Sequence, residues 1–330
     1  FIRRMGTPAR EERTPWFLYH CTRGAHFDNY PHERFLGSSP AKHPYKDTII
    51  ELDDIVGRLV GQMVGPRLGQ QVNLENMSGA SGQIGTLAVA RAAADGYVLL
   101  NATPSFIVAT AMGMIPVNLA DLAPVSLANY VPFALVTNAQ LPASSVGELV
   151  ALARSKPGQL NYGSGGTGNS LHLTAELFKG QAGIRMLHVP YKGAGPAFID
   201  LIGGQVQVVF SSTVSSLPHV KSGQVRVLAV TSLKRVSAAQ DVPTLAESGF
   251  PGFESSSWFG VLAPAKTPPD IVARLQREIA ETLKTAEVGE VLANLGGEPG
   301  GMPSAEFAAY FRAEIVKWGK VVRDANIVAE

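Results

Sequence analysis

The stretch Leu160-Asn161-Tyr162-Gly163-Ser164-Gly165-Gly166-Thr167-Gly168-Asn169-Ser170 runs from a β-prone segment through a Gly/Ser-rich loop into a helical one. Glycine lets the backbone take positive φ and bring its amides against a ligand. A helix N-terminus adds N–H groups without intrahelical partners and about half a positive charge. Together these make an anion cradle that needs no charged side chain. Gly163, Gly165 and Gly166 supply backbone amides, and Ser164, Thr167, Asn169 and Ser170 add side-chain donors. The competing reading is a loop that only turns the chain, with its hydroxyls capping the helix.

Gly163, Gly165 and Gly168 also satisfy the GxGxxG spacing of dinucleotide-binding folds. That fingerprint needs an acidic residue about 20 positions on, to hold the ribose hydroxyls. The next β-prone run is Met186-Leu187-His188-Val189-Pro190-Tyr191-Lys192, without a carboxylate. A nicotinamide cofactor is therefore not expected. A second Gly/Ser loop, Asn76-Met77-Ser78-Gly79-Ala80-Ser81-Gly82-Gln83-Ile84-Gly85, again joins a strand to a helix. Neither loop ends in GK[ST], so nucleotide hydrolysis is unsupported.

Groups able to catalyse are scattered. No G-x-S-x-G nucleophile elbow and no HExxH motif occurs, and Cys21 is the single cysteine. His172, in an apolar helix just past the loop, reads as a structural or loop-bracing residue. His188, beside Pro190-Tyr191-Lys192-Gly193, is placed to orient the loop that follows it. His20, Cys21, His26 and His32 match no standard zinc spacing. No cofactor, no metal and no enzymatic turnover are expected.

The elements that position these loops alternate. Helices are expected at 54–68, 82–94, 146–155, 169–182 and 194–203, and strands at 72–75, 97–100, 186–189, 206–210, 225–230 and 258–263. Asn101-Ala102-Thr103-Pro104-Ser105 reads as a polar turn, and Ala123–Asn138 as an apolar run crossing between lobes. Thr267 is expected to cap a helix with apolar face Ile271, Leu275, Ile279 and Leu283. Ser304 is expected to cap a final helix whose stripe Phe307, Phe311, Ile315, Trp318 and Val322 packs into the core.

The 330 residues exceed one ordinary domain, so two lobes are expected, 45–137 with 257–330 and 138–256. Residues are 45% hydrophobic and only 17% charged, with formal net charge +1. That composition excludes a disordered chain, and no basic stripe points to nucleic acid. No apolar run reaches the ~18 residues that span a bilayer. Residues 1–44, with Arg3, Arg4, Arg10, Arg13, Arg23 and Arg34 and no periodicity, are expected to be a poorly ordered leader. Trp16-Phe17-Leu18-Tyr19 is too short for a signal-peptide apolar core of about 7–15 residues. The chain begins at Phe1 and is expected to be processed or truncated.

The run from Pro157-Gly158-Gln159 through Gly165, with His172-Leu173 and Glu176-Leu177-Phe178, resembles the Bug family. These are the TctC-like substrate-binding proteins of tripartite tricarboxylate transporters. So do His188-Val189-Pro190-Tyr191-Lys192-Gly193, Gly203-Gly204-Gln205-Val206, Leu228-Ala229-Val230-Thr231-Ser232, Asp241-Val242-Pro243-Thr244 and Trp258-Phe259-Gly260. The match runs through about 52–330. It implies a type II periplasmic binding fold, an α/β protein of two lobes joined by hinge strands around a ligand cleft. It further implies a periplasmic, monomeric receptor that passes a small organic acid (a di- or tricarboxylate or aromatic acid) to membrane permease subunits. A sensor module that signals to a membrane kinase shares the fold and is the alternative. The ligand-binding set so implied is Ser81, Thr103, Ser105, Gly163, Ser164, Gly165, Gly166, Thr167, Asn169, Ser170, Tyr191, Lys192, Ser211 and Ser212.

Two departures from the family pattern stand out. Where family members carry a strand and a Pro/Gly-rich loop of the form PFxxGG, this chain has Tyr45-Lys46-Asp47-Thr48-Ile49-Ile50-Glu51-Leu52-Asp53. One half of the usual carboxylate clamp is thus absent or replaced. Amino-acid-binding members tend to carry an Asp after the strand equivalent to 206–210, whereas Ser211-Ser212-Thr213 offers hydroxyls and no charge. A ligand without an ammonium group is therefore predicted. Calorimetric competition should show succinate-type acids bound in preference to aspartate and glutamate, and the reverse order would overturn this.

Overall fold

The computed structural model describes residues 16–20, 64–76, 83–112, 119–294 and 296–327. One strand belongs to both halves of the molecule. This is β4 (Leu122–Asn138), buried along nearly all its length. Up to Pro132 it pairs antiparallel with β9 (Ser256–Pro264), and from Phe133 it pairs antiparallel with β7 (Val208–Ser212) and β8 (Val225–Val230). An apolar run this long outlasts one sheet and serves two, as expected for Ala123–Asn138.

In the first lobe the order is β2 (Val72–Asn76), β1 (Trp16–His20), β3 (Val98–Ala102), β9, β4, with β10 (Glu298–Pro299) also on β4. Strands β1, β2 and β3 are mutually parallel. In the second lobe β7 is followed by β5 (Asn161–Ser164) and β6 (Leu187–Pro190), again parallel. The segment 1–44, expected as a leader, therefore contributes Trp16–His20 to the middle of a sheet. A compact aromatic and apolar run has the β-propensity for that place. The unusual stretch 45–53 lies outside the described residues, as does the first part of the helix expected at 54–68, of which 64–68 is helical.

Helices cover the sheets. They are α1 (Gln83–Ala90), α2 (Pro104–Ala111), α3 (Val146–Ser155), α4 (Ser170–Ala182), α5 (Ala194–Ile202), α6 (Thr213–Lys221), α7 (Pro269–Leu283), α8 (Ala286–Asn294) and α9 (Ser304–Asp324). Ser145 caps α3 by accepting from Glu148 N–H, and the Glu148 carboxylate returns to Ser144 N–H at 2.7 Å. The expected caps on the last helices differ. Pro268 stands at the N-cap of α7, and Thr267 Oγ1 is buried without a partner among the described residues. Ser304 is the first residue of α9, and its hydroxyl donates to Val125 O at 2.7 Å, tying the helix to β4. In both places a proline with fixed φ starts the helix instead.

The aromatic stripe of α9 packs as its spacing predicts. Phe307, Phe311 and Trp318 are buried against Trp258 of β9, with Phe307 and Phe311 edge-on to its ring at 6.1 Å. One carboxylate, Glu314, is only 2% exposed inside this cluster. Its Oε2 accepts from both Trp258 Nε1 (3.1 Å) and Trp318 Nε1 (2.8 Å), and its other oxygen pairs with Lys317. A charge buried this deeply requires such partners.

Gly260 of β9 sits beneath this cluster, where an added Cβ would lie 2.3 Å from Phe307 Cζ. Phe307 is fully buried and has nowhere to retreat. Gly260→Ala should lower stability by about 1–3 kcal/mol, the usual cost of overpacking, read as a lower urea midpoint at unchanged slope.

Candidate functional site

Because β5, β6 and β7 are parallel and in register, their carboxyl ends lie on one edge, with Ser164 opposite Pro190 and Gly163 opposite Val209. Each strand there turns into a helix: β5 through the loop 163–170 into α4, β6 through Tyr191–Gly193 into α5, and β7 directly into α6. Three helix N-termini thus share one rim. In open parallel sheets that rim is where ligands bind. The first lobe repeats the arrangement, with β3 running into α2 through Thr103.

The two lobes approach each other here. A Cβ on Gly168 would lie 3.9 Å from Met112 Sδ and Cε, at the C-terminal end of α2. Helix α2 spans about 13 Å back to Thr103. The Thr103 side chain makes no cap bond, and its Oγ1 is buried without a partner among the described residues. Where the residue types of 101–105 predict a polar turn, the chain opens α2 at Pro104, and α6 is a second helix that the sequence pattern does not predict. A Thr-Pro pair opening a helix was the available signal for α2. In α6 the internal Pro218 concealed the helix.

Within the loop, Gly166 (φ 124°) and Gly168 (φ 77°) take backbone conformations that favour glycine. Asn169 caps α4 by accepting from His172 N–H at 2.8 Å. Two amides are already used by side chains: Gly166 N–H donates to Ser164 Oγ (3.3 Å) and Gly168 N–H to His172 Nδ1 (3.0 Å). Ser170 and Leu171 open the helix, and their N–H groups find no acceptor among the described residues. Among the described residues, the amides left without an acceptor are therefore those of the first helical turn and not those of Gly166 and Gly168.

Behind the loop lies a stack of rings. His172 and His188 are 3.9 Å apart between centroids, and Tyr162 lies 4.9 Å from His188. His188 Nε2 and Ser164 Oγ are 2.7 Å apart. His188 thus braces the loop after β5, in addition to flanking the one after β6. The Tyr162 hydroxyl donates to Glu176, and burial together with that carboxylate pushes its pKa up. Lys179 completes the pair with Glu176.

The other sequence-derived residues divide. Tyr191 donates through its hydroxyl to Asp200 Oδ2 (2.7 Å), and burial first, then Asp200, pushes its pKa up to about 12. Lys192 is exposed on the rim. Ser211 is buried in β7, and the Ser212 hydroxyl caps α6 by accepting from Ser215 N–H. Ser105 falls in the first turn of α2. Ser81 lies outside the described residues. Among the described residues no group of three His, Cys, Asp or Glu side chains is arranged to hold a metal ion. None of the described helices is long and apolar enough to cross a membrane.

A family model described as the tripartite tricarboxylate transporter family receptor matches residues 56–327. The chain belongs to this receptor family. Protein BugT of Bordetella pertussis is 38% identical over 277 residues, 83% of this chain and 85% of that one. Among solved structures, Rhodopseudomonas palustris Rpa4515 with adipate is 32% identical, with TM-score 0.67 over 95% of this chain and 98% of that one. MatC from the same organism, with bound malate, is 26% identical, with TM-score 0.65 over 93% of this chain and 98% of that one. The fold is accordingly the two-lobed α/β fold of periplasmic binding proteins.

His172 carries a pH dependence. Burial, then the neighbouring His188, lowers its pKa from 6.5 to about 4, against an opposing pull from Glu176. The folded protein holds it neutral, whereas the unfolded chain protonates it near its ordinary value. Its contribution to stability is thus complete above about pH 6.5 and is lost as pH falls toward 4. The melting temperature of the wild type should fall more steeply over that window than that of His172→Asn, which keeps an acceptor near Nδ1 and cannot titrate. Parallel curves would show that His172 does not contribute.

Proposed function

We propose that this receptor captures a small organic acid anion in the periplasm, foremost a di- or tricarboxylate, and hands it to the membrane permease of a tripartite tricarboxylate transporter. The observation that carries the reading is the first turn of α4, whose Ser170 and Leu171 N–H groups have no acceptor among the described residues, on a rim shared by three helix N-termini. An N–H bonded to a charged oxygen contributes roughly 1.5–3 kcal/mol. A few of them, less ordering costs, are enough for the ~8 kcal/mol of micromolar affinity. The relatives' ligands, adipate for Rpa4515 and malate for MatC, fall in the same chemical class.

The reading is of binding without turnover. The contact that most resembles a nucleophile with its base is Ser164 Oγ with His188 Nε2. Ser164 is 1% exposed, and its hydroxyl is shared with Gly166 N–H and O. Its hydroxyl is thus engaged in holding the loop and His188.

A thermal-shift panel of succinate, malate, adipate, citrate and benzoate tests this, with the corresponding amides as uncharged controls. A bound acid at 100 times its Kd stabilises by about 2.7 kcal/mol, so an effective ligand raises the melting temperature by several degrees and its amide does not. At Gly166 a side chain would be strained by φ 124° and would press on Tyr191 O at 3.4 Å. Gly166→Val should abolish the shift. A full shift in that variant would remove the loop from the site, and no shift with any acid would sink the reading.

A further inference from the structure

A chain of buried hydrogen bonds joins the start of α4 to both places where the backbone passes between lobes. The first crossing is in β4 between Pro132 and Phe133, where pairing changes from β9 to β7. The second is at Ser255, just before β9, whose N–H donates to Thr231 O at 3.0 Å. Thr231 stands between the crossings. Phe133 N–H donates to its Oγ1 (2.8 Å), and that hydroxyl donates to Ser255 O (2.5 Å).

From Ser255 the chain continues to the loop. Thr174 Oγ1 donates to Ser170 O at 2.7 Å, which uses its one proton. Ser255 Oγ, 2.6 Å away, must then be the donor to Thr174. The chain thus runs from Phe133 through Thr231 to Ser255, and from Ser255 through Thr174 to Ser170. Thr231 and Thr174 are fully buried and Ser255 is 1% exposed, so water cannot replace a broken link cheaply. Helix α4 is also the element of the second lobe whose Leu173 is buried in the first lobe's aromatic core. It is therefore seated at the joint between the lobes, with the 163–170 loop at its head.

We propose that Thr174 and Ser255 are positioning residues that set the angle between the lobes from the first turn of α4, and so couple occupancy of the loop to closure of the cleft. Anion binding at the Ser170 and Leu171 amides pulls on the turn whose carbonyl Thr174 holds. The Thr174–Ser255 bond carries that displacement to the second crossing, and Thr231 carries it to the first. This deepens the binding reading above and rests on it for the ligand half only.

The test places one spin label on each lobe, at Lys156→Cys and Lys284→Cys, both exposed, in a Cys21→Ala background. Electron–electron distance distributions are recorded without ligand and with malate or adipate. Thr174→Val, which keeps shape and loses the hydroxyl, should broaden the ligand-free distribution and weaken binding by about 5-fold or more. Thr174→Ser should restore both. Thr174→Val with Ser255→Ala should be no worse than either alone, because both remove the same bond. A ligand-free distribution unchanged in Thr174→Val, or additive losses in the double variant, would overturn the proposal. If neither acid closes the wild type, the binding reading fails, while the ligand-free comparison still decides this one.

Discussion

A backbone that passes between two lobes must satisfy its polar groups at a place where regular pairing stops. In this receptor that constraint falls on Thr231. Its backbone N–H and C=O and its hydroxyl together bond Phe133 and Ser255 on both crossings. Buried backbone groups left without partners would cost more than most single contacts contribute. One side chain therefore allows β4 to leave one sheet for the other without a buried vacancy. The long shared strand passes from one half-sheet to the other at that join.

The rim offers a nearly neutral chain a way to hold the organic acid proposed above. Parallel strands put their carboxyl ends together, and each is followed at once by a helix. The helices arrive with unpaired N–H groups and aligned dipoles, so positive potential comes from geometry and not from lysine or arginine. Lys192 stands exposed at the edge, where it can attract an anion without being desolvated. His172, behind the loop, is held neutral by burial, and its stack with His188 supports the shape of the loop.

Much of this was legible in the sequence because the cues are local. The glycines of the 163–170 loop and the apolar faces of α7 and α9 sit where composition and period place them, whereas Asn169, expected as a ligand donor, caps α4. Helix α2 was missed because Asn101-Ala102-Thr103-Pro104-Ser105 is rich in turn-forming residues, whereas Asn101 and Ala102 end β3 and Pro104 opens a helix whose Phe106 and Ile107 are buried in the core. The role of Trp16–His20 was missed for another reason. Its partners Val72–Asn76 and Val98–Ala102 are more than fifty residues away, and no local period reports such pairing. The chain from Thr174 to Thr231 was invisible for the same cause, since serines and threonines carry no signal of whom they will meet.

The buried carboxylate of Glu314 has an optical consequence. Two of the three tryptophans, Trp258 and Trp318, donate to the same oxygen of one negative charge. An indole's excited state is more dipolar than its ground state, so its emission responds to a fixed charge at hydrogen-bond distance. Trp258 lies on the strand that follows the second crossing, and Trp318 lies on the helix packed over it. The receptor thus carries an intrinsic chromophore pair at its joint, and the colour of its fluorescence is a native gauge of how strand and helix sit there.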